Sequence, residues 1–215
     1  MAHRLADRIG GDVVWDPDPD DGLKPWRTFR RLLEETPTWA THRFQIQDDG
    51  VPCHNLRGAV ERACAAQPDR LLVFFVGGHP APNAQAVLAA CRQDIPWATL
   101  SHQAFVPCVS TCWPAAMAAD ILAFVDRQKW PNAFAADDEI VGRFVRAERI
   151  WPIASVPSLV EHTDVGTSLI RRRQTNGLDP GRRAVCWVGD CEGCLDEMDW
   201  ALEPLPLNAH PARRR

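Results

Sequence analysis

Hydrophobic positions along the chain switch between helical and strand spacing, and the switches recur without a low-complexity linker or an internal repeat. Trp26 to Glu35 reads as a helix. So does Leu56 to Ala66, where Leu56, Val60, Ala63 and Cys64 share one face and Pro68 ends the run. His42 to Gln47 places Phe44 and Ile46 at strand spacing, and Leu71 to Val76 is a continuous apolar run closed by Gly77-Gly78, the pattern of a strand buried on both faces. A helix is predicted around Ala84 to Arg92, a strand near Trp97 to Leu100, and a helix opened by Pro114 and running to about Arg127, since proline suits a first helical turn. Asp137-Asp138-Glu139 then precedes an amphipathic segment, Ile140 to Ala147, and a broken strand from Trp151 to Leu159 leads into Val160-Glu161-His162. Ahead of all these lie a helical stretch, Arg4 to Ile9, and a short apolar run, Val13 to Trp15, that ends in the acidic, proline-rich loop Asp16 to Gly22. Alternating helices and strands predict an α/β architecture with helices layered on a central sheet.

Composition narrows this picture. The 215 residues, 46% of them hydrophobic, suit one sizeable domain with a real core. No apolar run approaches the roughly 20 residues needed to cross a bilayer, and the N-terminus lacks a signal-peptide core, so a cytoplasmic protein with no membrane partner is expected. A net charge of -4 argues against a protein that coats nucleic acid. Positive charge does gather late in the chain, at Arg171 to Arg173, Arg182, Arg183 and Arg213 to Arg215, whose simpler reading is a solvated surface and a frayed tail. The chain has nine Trp and no Tyr; indoles stack on sugar or base faces, although most are expected in the core. Eight cysteines without a secretory signal read as reduced thiols. Cys191-x-x-Cys194 has zinc-ligand spacing if Cys108 and Cys112, or Cys186, come close to it. A glycine-rich dinucleotide fingerprint and a phosphate-binding P-loop are both absent, which disfavours those enzyme classes.

The candidate chemistry sits in three places. Asp48-Asp49 falls where a strand turns into a loop, a ligand-facing position in open α/β sheets. Carboxylates there can hold Mg or Mn against a departing diphosphate, or simply form a solvated Asp-Asp-Gly turn. Asp137-Asp138 opens a helix, where a carboxylate can deprotonate an acceptor hydroxyl or can cap the helix and complement its dipole. His162 follows a strand and is either a further metal ligand or an ordinary surface or core histidine.

Three segments, Thr41-His-Arg-Phe-Gln-Ile-Gln-Asp-Asp-Gly-Val-Pro-Cys53, Ala136-Asp-Asp-Glu139, and Val156-Pro-Ser-Leu-Val-Glu-His162 followed by Ser168-Leu169, together resemble the small GT-A glycosyltransferases of bacteriophages and actinobacteria. The similarity spans roughly residues 3 to 170. It implies a GT-A-like, Rossmann-type central sheet flanked by helices over residues 1–170, with residues 171–215 as a C-terminal extension packed on or tailing from the same domain. The opening strand of that fold is expected to be missing or shortened, because the chain begins almost at once with a helix. The resemblance further implies that Asp49 binds the metal, that Asp48 meets the donor ribose or the metal shell, and that His162 completes the shell. It offers Asp138, then Asp137, as general base, and Asp16, Trp26, Arg27 and Thr28 as donor contacts, the Arg27 guanidinium suiting a phosphate or uracil carbonyl. The implied activity is Mn- or Mg-dependent transfer of a sugar, with inversion, from a UDP-linked or similar nucleotide-sugar to an acceptor hydroxyl. The acceptor is expected to be macromolecular, either a modified phage DNA base or a virion or host protein; with DNA, the base leaves the stack and the late arginines track phosphates. Two rival readings are a non-catalytic, degenerate GT-A scaffold and a zinc-stabilised interaction module built on Cys191 and Cys194.

Overall fold

The computed structural model describes residues 2–22, 24–105, 109–128, 136–162, 183–189 and 195–207. Two helices come first, α1 (Ala2–Ile9) and α2 (Pro25–Glu34), and the first strand among the described residues is β1 (His42–Ile46). The chain continues through β2 (Gly50–Pro52), α3 (Leu56–Ala66), β3 (Leu72–Val73), α4 (Ala81–Cys91) and β4 (Trp97–Thr99). It ends with β5 (Ser110–Pro114), α5 (Ala115–Gln128), α6 (Asp137–Ala147), β6 (Ile153–Ser155) and β7 (Val160–His162).

Five strands form one sheet in the order β1-β5-β3-β6-β4, and β2 pairs with β7 in a separate two-stranded ribbon. Only the β3–β6 pair is parallel; β1–β5, β3–β5 and β4–β6 are antiparallel. The fold is therefore mixed α/β, with a mostly antiparallel sheet flanked by helices. That departs from the parallel character expected of a Rossmann-type sheet. The cause is β5, which the sequence reading did not foresee: it inserts between β1 and β3 and runs against both. Its five residues, Ser-Thr-Cys-Trp-Pro, are too few and too mixed to declare a period. Pro114 ends this strand, opposite His42, and the helix starts one residue later at Ala115.

The sheet separates two cores because successive strand residues point to opposite faces. Val73 and Trp113 belong to one, with Trp26, Phe29 and Leu33 of α2, Ile121 of α5 and Phe144 of α6. Leu72 and Cys112 belong to the other, with Leu56, Ala59, Val60 and Ala63 of α3. On α2, Pro25 occupies the first turn, where its missing N–H costs nothing, and the i, i+3, i+7 stripe of Trp26, Phe29 and Leu33 is buried. Trp113 and Trp97 are fully buried, and each indole N–H has an acceptor, Thr111 Oγ1 and the Trp200 carbonyl, both at 2.9 Å.

Residues 195–207 pack on this same body. Trp200 lies against Trp97 with ring centroids 5.2 Å apart, Arg62 bonds Asp196 at 3.0 Å, and Thr99 N–H donates to the Leu205 carbonyl at 3.0 Å. Leu205 bridges Ala98 beside β4, so the C-terminal segment covers an edge that would otherwise offer unpaired backbone groups. Among the described residues no helix is long and apolar enough to cross a membrane. Arg171 to Arg173, Arg182, Arg213 to Arg215 and Ser168-Leu169 lie outside the described residues, as do Cys108, Cys191 and Cys194 of the expected zinc group. The other two cysteines considered for that group are engaged elsewhere: Cys112 Sγ is 3.4 Å from Cys64 Sγ, and Cys186 Sγ is 3.1 Å from Cys91 Sγ.

Candidate functional site

The end of β1 organises the site. After Ile46 the ladder continues for one more bond, Gln47 N–H to the Val109 carbonyl at 2.8 Å, and the chain then turns through Asp48 and Asp49, with Gly50 N–H donating back to the Gln47 carbonyl at 2.9 Å. Gly50 is tight: a Cβ there would meet Ile46 Cγ1 at 2.7 Å and the Gln47 carbonyl at 3.1 Å, so a side chain would push the turn open. Gly50 also opens β2, where it pairs directly with His162 of β7. This register brings the acidic turn to the histidine. His162 Nε2 lies 3.0 Å from Asp49 Oδ2, although 113 positions separate the two by their numbers in the chain.

The two groups differ in exposure. The His162 side chain is only 5% exposed and packs beside Phe75, with ring centroids 6.0 Å apart, whereas the Asp49 side chain is 31% exposed. Asp48 is exposed. The backbone of His162 is fixed from behind by Glu161, a buried carboxylate whose Oε1 accepts His162 N–H at 2.8 Å and Ala184 N–H at 2.9 Å. The exposed Arg183 approaches Oε2 at 3.9 Å. The C-terminal segment thus supports the strand that carries the histidine.

The second acidic pair comes to the same end of β1. Asp137 and Asp138 form the first turn of α6, and the Gln47 side chain lies beside the Asp137 carboxylate and favours its charged form. Gln47 therefore stands between the Asp48-Asp49 turn and the Asp137-Asp138 helix start. Burial, and secondarily the adjacent charge of Asp138, push the Asp137 carboxyl up from 3.8 to about 6. The hydrogen bond from Asp138 N–H at 2.9 Å, with smaller contributions from the backbone of Asp137 and the Gln47 side chain, opposes that rise without cancelling it. Asp138 is half-buried, and its Oδ1 accepts the Glu139 N–H at 2.8 Å. Neither residue is the N-cap, which is Ala136.

No match to this chain is found among protein-family models, curated proteins or solved structures.

Asp49 and His162 supply one carboxylate oxygen and one imidazole nitrogen side by side, a donor set that suits Mn and tolerates Mg. Among the described residues no group of three or more His, Cys, Asp or Glu side chains is arranged to enclose a metal. A cation at this position would consequently be held by two protein side chains and would take its other ligands from water or from an anionic substrate, as Mg sites on phosphates commonly do.

The expected donor contacts lie differently. Arg27 pairs with Asp16 at 2.9 Å and Asp21 at 3.0 Å, approaches Asp18 at 3.7 Å, and donates to the Gly22 carbonyl at 2.9 Å. These bonds knit the acidic loop onto the start of α2, and the guanidinium bonded to Asp16 holds that carboxyl below the usual range. Trp26 is buried against Phe29, at 5.5 Å between ring centroids, so its indole serves the core rather than a ligand. Thr28 is half-buried on α2. Among the described Trp residues, Trp15, Trp39 and Trp151 are exposed, with Trp39 the most open at 84%.

Sequence reasoning missed Gln47 and Glu161 as functional positions. A signal existed for each, since both immediately adjoin a candidate ligand, but adjacency in a strand places alternate side chains on opposite faces and does not reveal what lies across them.

Proposed function

We propose that this protein is a metal-dependent glycosyltransferase of GT-A type, using a nucleotide-sugar donor and a macromolecular acceptor hydroxyl. The observation that carries the reading is the convergence at the end of β1: Asp49 beside His162 at 3.0 Å, and Asp137 beside the Gln47 side chain of the same turn. Asp49 and His162 would hold the Mn or Mg, with the exposed Asp48 available to the donor ribose or to the metal shell. When bound, the cation supplies charge neutralisation for the departing diphosphate.

Asp137 is the group we assign as general base, with Asp138 tuning it. The order of preference from sequence is thereby exchanged. A base works best when its pKa lies near the working pH, and a carboxyl at about 6 accepts the proton of an acceptor hydroxyl more readily than one at 3.8. The charge of Asp138 contributes to that elevation. Asp138 N–H donates to the Asp137 carboxylate at 2.9 Å and orients it, and the Gln47 side chain stands beside it. A base opposite the leaving group corresponds to inversion of the anomeric centre.

One further reading has an observation in its favour. Among the described residues no strand precedes β1, so the strand that would line a nucleotide is not contributed by residues 2–22 or 24–41. A degenerate scaffold without donor binding would fit that arrangement. A thermal-shift and donor-hydrolysis screen separates the two. With Mn and a UDP-sugar at about 100 times its Kd, mass action adds about 2.7 kcal/mol, or roughly 5–11 °C for a chain of this size. Asp49→Ala is expected to abolish the shift. If no UDP-, GDP-, ADP- or dTDP-sugar raises the melting temperature or is hydrolysed with either cation, the enzyme reading falls and the degenerate scaffold stands.

A further inference from the structure

Away from the candidate site chemistry, two thiols from distant parts of the chain meet at the surface. Cys91 is the last residue of α4 and is exposed, and Cys186 belongs to the C-terminal segment; their sulfurs are 3.1 Å apart across 95 positions of sequence. Cys186 lies in the middle of a seam. Its carbonyl accepts Ser158 N–H at 2.7 Å, Val185 N–H donates to the Val76 carbonyl at 3.0 Å, and Val188 N–H donates to the Ser158 carbonyl at 3.2 Å. At the near end of the same seam Ala184 is bonded to Glu161, the neighbour of His162. Whatever fixes Cys186 therefore fixes the support of the candidate site.

We propose that Cys91 and Cys186 are a dithiol modification site, which small-molecule disulfides such as oxidised glutathione convert reversibly into a cross-link fastening the C-terminal segment to α4. The inference stands independently of the glycosyltransferase reading. A bonded pair of sulfurs is about 2.05 Å apart, so the existing separation closes by about 1 Å, within the reach of side-chain rotation at an exposed helix end. In the first step the Cys91 thiolate attacks one sulfur of oxidised glutathione; that S–S bond breaks, a Cys91–glutathione bond forms, and one glutathione leaves as a thiolate that takes up a proton. In the second, Cys186 sulfur attacks Cys91 sulfur, the mixed disulfide breaks, and the second glutathione departs with the proton that Cys186 gives up. The protein loses two hydrogens, and one oxidised glutathione becomes two reduced molecules. Burial, and secondarily the hydrogen bond with Cys91, push the Cys186 thiol up to about 12, which agrees with Cys91 as the first thiol to react and Cys186 as the resolving one.

The protein contains its own comparison. Cys64 and Cys112 lie 3.4 Å apart, but Cys112 is fully buried in the core under α3, out of reach of a bulky oxidant. The experiment treats the full chain with excess oxidised glutathione, digests it without reduction and maps the peptides by mass spectrometry. The expected product joins the peptides of Cys91 and Cys186, is two hydrogens lighter than the thiols, and reverts with dithiothreitol. Cys186→Ser should stop at a glutathione adduct on Cys91, while Cys91→Ser should take up none at Cys186. Amide exchange at Val185 and Val188 should slow by about tenfold in the oxidised protein, because the cross-link removes openings of the seam. The proposal is overturned if wild-type protein halts at the Cys91 adduct, or if Cys186 links to another cysteine. It is equally overturned if the purified protein carries stoichiometric zinc and Cys91 and Cys186 react only after chelation, since both thiols would then be metal ligands.

Discussion

Replacing Asp137 by Asn should make the protein more stable at neutral pH while removing the proposed transferase activity. The carboxyl is pushed from 3.8 to about 6, with burial as the leading cause and the charge of Asp138 next. A difference of that size corresponds to about 3 kcal/mol of preference for the neutral form. Below about pH 3.8 the folded and unfolded chains both carry the proton and the group contributes nothing. Between 3.8 and 6 the unfolded chain has lost its proton while the folded chain retains it, so stability falls as pH rises; above about 6 the penalty is constant. An amide of the same shape does not titrate, and its oxygen still accepts from Asp138 N–H, now at 2.9 Å. Because the carboxylate keeps some solvent contact, the expected gain at pH 7.5 is about 1–3 kcal/mol, a rise of roughly 2–12 °C in melting temperature. Urea unfolding of both proteins from pH 4 to pH 8, with a chelator present, isolates the effect, since every other carboxylate is common to the pair. The difference should vanish near pH 4 and reach its plateau above pH 7. A difference that is constant with pH, or an Asn variant less stable at pH 7.5, would refute the assignment of a buried, elevated carboxyl to this position.

Other outcomes follow from the same geometry. Asp138→Asn should lower the titration midpoint of Asp137 from about 6, read by NMR of the side-chain carboxyl, because a neighbouring negative charge contributes to the elevation. His162→Ala should weaken Mn more than Mg in thermal-shift titrations, since an imidazole nitrogen favours Mn while a carboxylate oxygen serves both. Gly50→Ala should cost about 1–3 kcal/mol through crowding against Ile46 and the Gln47 carbonyl, and should weaken cation binding by moving Asp49. Trp200→Ala should cost about 3–5 kcal/mol, measured by chemical denaturation, because the indole is buried against Trp97.

Much of the local structure was legible because the apolar periodicity was unambiguous. Leu56–Ala66 is a helix with its apolar face inward, and His42–Ile46 is a strand that ends in the acidic turn. The topology was not legible. β5 spans five residues, too few to show alternation, and its position between β1 and β3 makes the sheet mostly antiparallel. Pairing order depends on which strands find complementary partners across long loops, and hydrophobic period carries no information about that. Trp26 and Arg27 illustrate the same limit on the scale of single residues. A polar-aromatic segment near the start of the chain is compatible with ligand contact, yet the indole completes the core beside Phe29 and the guanidinium holds Asp16 and Asp21.

The site itself lies between these extremes. Asp49 and His162 could be named from sequence, but their approach depends on one register, Gly50 opposite His162, and register is a property of the folded ribbon. Shifting β2 by one residue against β7 would turn His162 to the opposite face from its partner, so tight packing at Gly50 selects the geometry as much as the ligands do. Gln47 has a similar office at the other side of the turn. Its backbone continues the β1–β5 ladder through Val109, and its side chain lies beside the Asp137 carboxylate, so a single residue brings the sheet edge to the start of α6. Gln47→Ala therefore separates the two halves of the proposed mechanism: it leaves Asp49 and His162 in place, and it removes the polar side chain beside Asp137. On this reasoning cation binding should survive the change while turnover falls, a split that neither an incidental acidic turn nor a purely structural glutamine would produce.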